Sequence, residues 1–185
     1  MKEPALGMIE FKSIARGIKT TDAMIKKAQI RILETHPICP GKYMTLFCGE
    51  VAEVEESLTE GLRVGGDMII NDLFIPNLSQ QIIPAITGTN PVTNFKSLSI
   101  IETFSIATCV TAADKASKMT PIELVEIRLA NGIGGKAYFI MTGELYDIEA
   151  STEEAIRIIK ENDMLAAAEI IQNPHPDLIE KGIYF

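Results

Sequence analysis

The 185-residue sequence contains no tryptophan, so no tryptophan anchors a binding surface, and only two histidines, His36 and His175. Positive charge is scarce: 17 Lys and Arg stand against 25 Asp and Glu, a formal net charge of −8. A phosphate backbone or an anionic bilayer is held by a basic patch, so neither nucleic acid nor a membrane is expected as a partner. There is no run of about eighteen apolar residues, which argues against a helical membrane span. The opening Met1-Lys2-Glu3-Pro4 lacks the apolar stretch of a secretion signal, so a cytoplasmic location is expected. Cysteine is also sparse. Cys39, Cys48 and Cys109 are odd in number and suit no disulfide framework in a reducing compartment, so each reads as buried or as a ligand. No Ser-His-Asp set and no paired-carboxylate signature is visible, and no catalytic residue is assigned: the protein is expected not to be an enzyme.

Hydrophobic residues make up 46% of the chain and charged residues 23%, which favours a packed core over disorder. The length suits one ordinary domain or two small ones. An internal repeat decides for two. Leu6-Gly7-Met8-Ile9-Glu10 resembles Leu98-Ser99-Ile100-Ile101-Glu102, and Ser13-Ile14-Ala15 returns as Ser105-Ile106-Ala107. Asp22 matches Asp114 and Lys26 matches Lys118 at one offset (114 − 22 = 92; 118 − 26 = 92). Gly41-Lys42 and Gly49-Glu50 return as Gly135-Lys136 and Gly143-Glu144 at an offset of 94 (135 − 41; 143 − 49), so the second copy has gained two residues.

Each copy predicts the same elements. An apolar strand (Ala5 to Lys12; Ser97 to Phe104) precedes a helix (Arg16 to Ala28; Ile106 to Met119). The first of these helices is expected to bury Ile18, Ala23, Ile25 and Ala28. A second strand (Gln29 to Glu34; Ile122 to Leu129) leads into a loop, His36 to Gly41 or Asn131 to Gly135, and a third strand follows (Lys42 to Cys48; Lys136 to Thr142). A helix (Val51 to Leu62; Leu145 to Lys160), a last strand (Met68 to Phe74; Met164 to Ile171) and a short Pro-bounded helix close each copy. The order βαββαβ is that of the ferredoxin-like α+β class. The expected domains are 1–88 and 97–185, with Thr87 to Lys96 as linker. Fused copies of a ring-forming subunit can close the ring with half as many chains, so a pseudohexamer of three chains is one outcome. A monomeric or dimeric two-domain protein fits the same pattern.

Cys39 lies between Pro37 and Pro40, which fix φ and stiffen the loop. A Cys-Pro step also ends ferredoxin-type ligand runs, but one cysteine cannot hold a cluster; threefold symmetry would bring three thiolates to one axis. Taken alone, Cys39 reads as an inert loop cysteine. Cys48, on one strand face with Met44 and Leu46, and Cys109 both read as core. His36 reads as a surface histidine more simply than as an outer partner of a cluster, and His175 receives no role. Gly132 to Gly135 is not a phosphate cradle: the spacing to Lys136 is wrong, and a strand follows where a helix N-terminus is needed. Glycine there suits backbones that crowd together. Asp22 with Lys26, and Asp114 with Lys118, form i,i+4 pairs worth about 0.2–0.5 kcal/mol if exposed. The acidic run Glu50 to Glu56 reads as a solvated face.

These segments resemble the bacterial microcompartment shell domain. The resemblance rests on Asp22-Ala23-Met24-Ile25-Lys26, on Gly49-Glu50-Val51, and on Gly66-Asp67-Met68 through Ile75-Pro76-Asn77-Leu78. Ile38-Cys39-Pro40-Gly41-Lys42 and Gly132-Ile133-Gly134-Gly135-Lys136 make it most similar to the tandem-domain, T-type shell proteins of propanediol-utilisation compartments. It covers Ala5 to about Lys181. The resemblance implies a homotrimer that tiles as a pseudohexamer in the compartment shell, with other shell proteins and encapsulated redox enzymes as partners. It implies a central opening lined by Ile38, Cys39, Pro40 and Gly41 and by Gly132, Ile133, Gly134 and Gly135, with Lys26 and Lys118 at the tile edges. It also implies one [4Fe-4S] cluster per trimer, bound at the threefold axis through Cys39, for electron transfer. Two other readings stand beside it: a tile with a metabolite pore and no cluster, and a two-domain small-ligand-binding protein.

Overall fold

The computed structural model describes residues 4–183. The first repeat contains β1 (Ala5–Phe11), α1 (Ile14–Lys27), β2 (Arg31–Ile38), β3 (Lys42–Gly49), α2 (Val51–Gly65) and, after a single 3-10 turn, β4 (Ile69–Ile75). A short helix, α3 (Ile82–Thr87), follows. The second repeat contains β5 (Ser97–Thr103), α4 (Ile106–Met119), β6 (Glu123–Leu129), β7 (Ala137–Gly143), α5 (Leu145–Glu161), β8 (Leu165–Gln172) and α6 (Pro176–Gly182). The sheets run β2-β3-β1-β4 and β6-β7-β5-β8, with every described pairing antiparallel. Each is thus the ferredoxin-like α+β sheet expected.

Repeated local signals set the repeated elements. Ser13 caps α1 by accepting from the Arg16 N–H at 3.3 Å, and Ser105 caps α4 by accepting from the Thr108 N–H at 3.2 Å. Such a hydroxyl satisfies one of the helix's orphan donors. The Gly-Glu pairs end β3 and β7 and open α2 and α5.

The compact units are Met1–Leu78 and Ser79–Phe185. Residues 79–88, assigned above to the first domain, therefore belong to the second unit. Gln81 explains this: its Nε2 donates to the Ile122 carbonyl at 3.0 Å, and its Oε1 accepts from the Leu124 N–H at 2.7 Å. The linker is tied to the same strand, through a bond from Asn90 Nδ2 to the Leu124 carbonyl.

In the first repeat the helices pack on the face that presents Ala5, Ile9, Phe11, Tyr43 and Phe47, with Met24, Val54 and Leu58 filling the layer. The buried side of α1 differs from expectation. It is Gly17, Thr20, Thr21 and Met24, while Ile18 and Ile25 are 54% and 49% exposed and Ala23 and Ala28 only half-buried. Close approach is the reason. A Cβ on Gly17 would stand 2.4 Å from the Tyr43 ring, and one on Gly61 2.4 Å from Ile9 Cδ1. Thr21 is admitted to the core because its hydroxyl lies 2.6 Å from that of Thr45 and donates to the Gly17 carbonyl at 2.9 Å. A buried polar group that is hydrogen-bonded costs little.

Candidate functional site

The loops singled out by sequence are the tips of two β-hairpins. β2 runs on to Ile38, with Pro37 opposite Tyr43 and Ile38 opposite Lys42, so His36 and Pro37 lie in a strand and not in the expected loop. β2 is an edge strand, where a residue without an N–H forfeits no ladder bond on its outer side. The turn shrinks to Cys39, Pro40 and Gly41, with a cis Cys39–Pro40 peptide and Gly41 at φ +72°. Ile38 is buried, Cys39 half-buried, and Pro40 and Gly41 exposed. The second hairpin joins β6 to β7 through Gly132, Ile133, Gly134 and Gly135, all three glycines at positive φ. Gly132 and Gly134 are exposed there, and Ile133 and Gly135 half-buried.

A lysine follows each tip and reaches back to the central strand. Lys42 Nζ lies 2.7 Å from Glu10, which is buried, and Lys136 Nζ lies 2.8 Å from Glu102. The recurrence of Ile-Glu and Gly-Lys in both copies was a visible signal; that the two motifs touch was not. The pair ties each hairpin root to the sheet and leaves the tip bare.

The three cysteines separate by environment. Cys48 is buried and its thiol donates to the Arg31 carbonyl at 3.6 Å. Cys109 is also buried; burial pushes its thiol up to about 12, against a smaller lowering by a bond to Thr103. Such a thiol is inert near neutrality. Cys39 is a free thiol near solvent. In the folded, iron-free protein at pH 7.5, a maleimide is therefore expected to label Cys39 within minutes and to leave Cys48 and Cys109 unmodified. Peptide mass mapping checks this, and comparable labelling of Cys109 would contradict it. Beside the tip, the His36 ring contacts the Pro37 carbonyl and Glu34 Oε2, each at 3.0 Å. Partial burial works to lower the His36 pKa, but these two acceptors outweigh it and hold it above its ordinary value.

Lys26 and Lys118 occupy one position in the two repeats but differ in setting. Each lies 2.6 Å from its aspartate. The Lys26–Asp22 pair is 73% and 62% exposed, whereas Asp114 is buried and also accepts the Ser79 N–H at 2.8 Å. His175, given no role from sequence, caps α6 by accepting from the Asp177 N–H at 3.2 Å. Among the described residues of one chain, no group of three or more His, Cys, Asp or Glu side chains could hold a metal ion. No helix among them is long and apolar enough to cross a membrane.

Two tandem ferredoxin-like domains, each with a hairpin tip between its second and third strands, define a tandem-domain α+β protein. The BMC domain family profile matches residues 5–78 and again 97–174. The chain is 36% identical over 174 residues to the bacterial microcompartment shell protein PduT of Citrobacter freundii, which spans 94% of this chain and 95% of that one. It is 27% identical to the carboxysome shell protein CcmK1 of a Synechocystis strain, over 51% of this chain and 90% of that one. A crystal structure of a microcompartments protein from Desulfitobacterium hafniense DCB superposes with a TM-score of 0.91 at 42% identity, covering 97% of this chain and 99% of the other. The chain belongs to the BMC-domain family and is a tandem-domain bacterial microcompartment shell protein, of a family whose named members are shell components and not enzymes.

Proposed function

We propose that three copies form a pseudohexameric ring in the shell, with the hairpin tips around its axis and Cys39 holding one [4Fe-4S] cluster per trimer. Cys39, Pro40 and Gly41 from the first repeat, and Gly132 to Gly135 from the second, line the opening, while Ile38 is buried behind them at the end of β2. Lys26 and Lys118 face neighbouring tiles, other shell proteins included. The observation that carries the reading is the seat of Cys39: alone of the three thiols it stands at a bare hairpin tip, while the other two are sealed in the core.

The donor chemistry fits the group. Thiolate is the protein ligand of iron–sulfur clusters, and one chain contributes one, so three copies are required. Three thiolates leave one iron of a cubane without a protein ligand. The cluster, when bound, would supply one-electron chemistry at the shell, which suits electron transfer to encapsulated redox enzymes. This chain's residues do the positioning. The edge strand β2 carries the thiol to the tip, and the Lys42–Glu10 bridge fixes the root. The glycine-rich counterpart tip takes little room at a crowded axis.

Purification without oxygen is expected to yield a brown trimer with about four irons and one EPR-active cluster after reduction. Cys39→Ser should remove all of the iron and keep the trimer, as read by native mass spectrometry. A colourless wild-type trimer after reconstitution with iron and sulfide would overturn the cluster assignment and leave an axial opening for small molecules.

A further inference from the structure

The two repeats share a fold but differ in how fully they bury two further surfaces. On the sheet face turned away from the helices, Leu6, Met8, Met44 and Leu46 of the first repeat are fully buried. The same face of the second repeat is partly open. Ile100, Tyr138 and Ile171 are half-buried there, and α6 lies over an apolar cavity of about 370 Å³. On the α/β edge the order reverses. Ile106, Val110 and Asp114 of α4 are buried, but their counterparts Ile14 and Ile18 are 39% and 54% exposed, and the Asp22 carboxylate is open to solvent. Leu124 and Val125 of β6 are buried, while Ile32 and Leu33 of β2 are half-buried.

The segment that covers the α4–β6 edge is Ser79 to Thr87. The Ser79 N–H donates to Asp114, Gln81 brackets Ile122 and Leu124, and Ile82 and Ala85 are fully buried. The repeat contains a second such segment. Strand register places Ile75 opposite Leu6 and Ile171 opposite Leu98, an offset of 96 (171 − 75). His175 then corresponds to Ser79, Asp177 to Gln81 and Leu178 to Ile82. Yet Leu178 is 38% exposed where Ile82 is fully buried, and the cavity beneath α6 is wider than a close-packed core leaves.

We propose that His175 to Ile183 of a second copy of this chain seats on the α1–β2 edge of the first repeat, as Ser79 to Thr87 seats on α4–β6. Asp22 accepts the backbone N–H of the partner copy's His175, in the part that Asp114 plays for Ser79. The apolar stripe Ile14, Ile18 and Ile25 takes the outward side of the partner copy's α6 at Leu178, while Ile179 and Ile183 stay packed on their own repeat. Asp177 accepts one bond from the Ile32 N–H, where Gln81 both donates and accepts, so this seat is looser than the internal one. Each copy then offers one tail and one receiving edge, a head-to-tail contact that rings can close. The proposal rests on the ring reading above and names the surface that forms it.

The test uses the full chain in a Cys39→Ser background, with Asp22→Cys and His175→Cys introduced together and a short bismaleimide added. The expected product is a covalent ladder ending at the trimer on a denaturing gel, with neither single variant giving it. In a preparation that native mass spectrometry shows to be trimeric, a cross-linked monomer or no cross-link overturns the tail exchange and leaves the ring standing. A wild-type protein that stays monomeric overturns both. Leu178→Asp, at a position already open in the single chain, supplies the second reading: about tenfold weaker self-association with unchanged helical signal is expected, and unchanged trimer stability contradicts the proposal.

Discussion

Asp114→Ala is expected to destabilise the dilute, monomeric chain by about 2–3 kcal/mol, whereas Asp22→Ala changes it by less than about 0.5 kcal/mol. The two aspartates hold one helix position, and each meets a lysine four residues on at 2.6 Å. Surroundings separate them. Asp114 is 2% exposed and satisfies both Lys118 and the Ser79 N–H, so its removal strands a donor at a buried edge. Lys118, about a third exposed, can turn to water, which keeps the cost below that of a sealed ion pair. Asp22 and Lys26 are solvated whether or not they meet. Urea unfolding of the two variants measures the difference, and equal losses would show that burial does not govern these pairs.

The other large effect is expected at Phe47, whose substitution by alanine should cost about 3–5 kcal/mol. The ring is fully buried between sheet and helices, and it fills the place a side chain at Gly7 would take: a Cβ there would stand 2.4 Å from the ring. Gly7 and Phe47 are cross-strand partners, as are their counterparts Ser99 and Met141. The second repeat thus meets the same volume demand with two middle-sized residues. Ser99 is accommodated by accepting from the Thr152 hydroxyl at 2.8 Å. Gly7→Ser alone is expected to overpack the site by about 1–3 kcal/mol, and combining it with Phe47→Met should recover part of that loss. Strict additivity of the two substitutions in chemical denaturation would show that the pair does not share one space.

Much of the fold was legible because the chain states it twice. Ser13 and Ser105, the Gly-Glu pairs and the alternating strands each mark an element, and agreement between copies turns weak local signals into a strong one. Hydrophobicity alone points to the wrong side of α1. Gly17, Thr20 and Thr21 face inward to let two elements approach, and Ile14, Ile18 and Ile25 are left outside. Pro37 suggests a break in the chain, yet β2 continues through it to Ile38. On an edge strand proline breaks nothing. The lysines after the tips and the glutamates of the central strands were both visible as repeats, but their contact depends on the β1–β3 register, which no local pattern carries.

The sequence by itself determined that this is two copies of one βαββαβ domain, that its surface is acidic, and that one cysteine sits apart between prolines. These properties are local or periodic, so composition and spacing carry them. Only the tertiary structure decided that residues 79–87 belong with the second domain, that α1 turns Gly17, Thr20, Thr21 and Met24 inward, and that Asp22 and Asp114 live in different surroundings. Burial is a property of what lies across from a residue, and what lies across is set by contacts distant in sequence. Two copies of one motif therefore acquire different chemistry from the same letters.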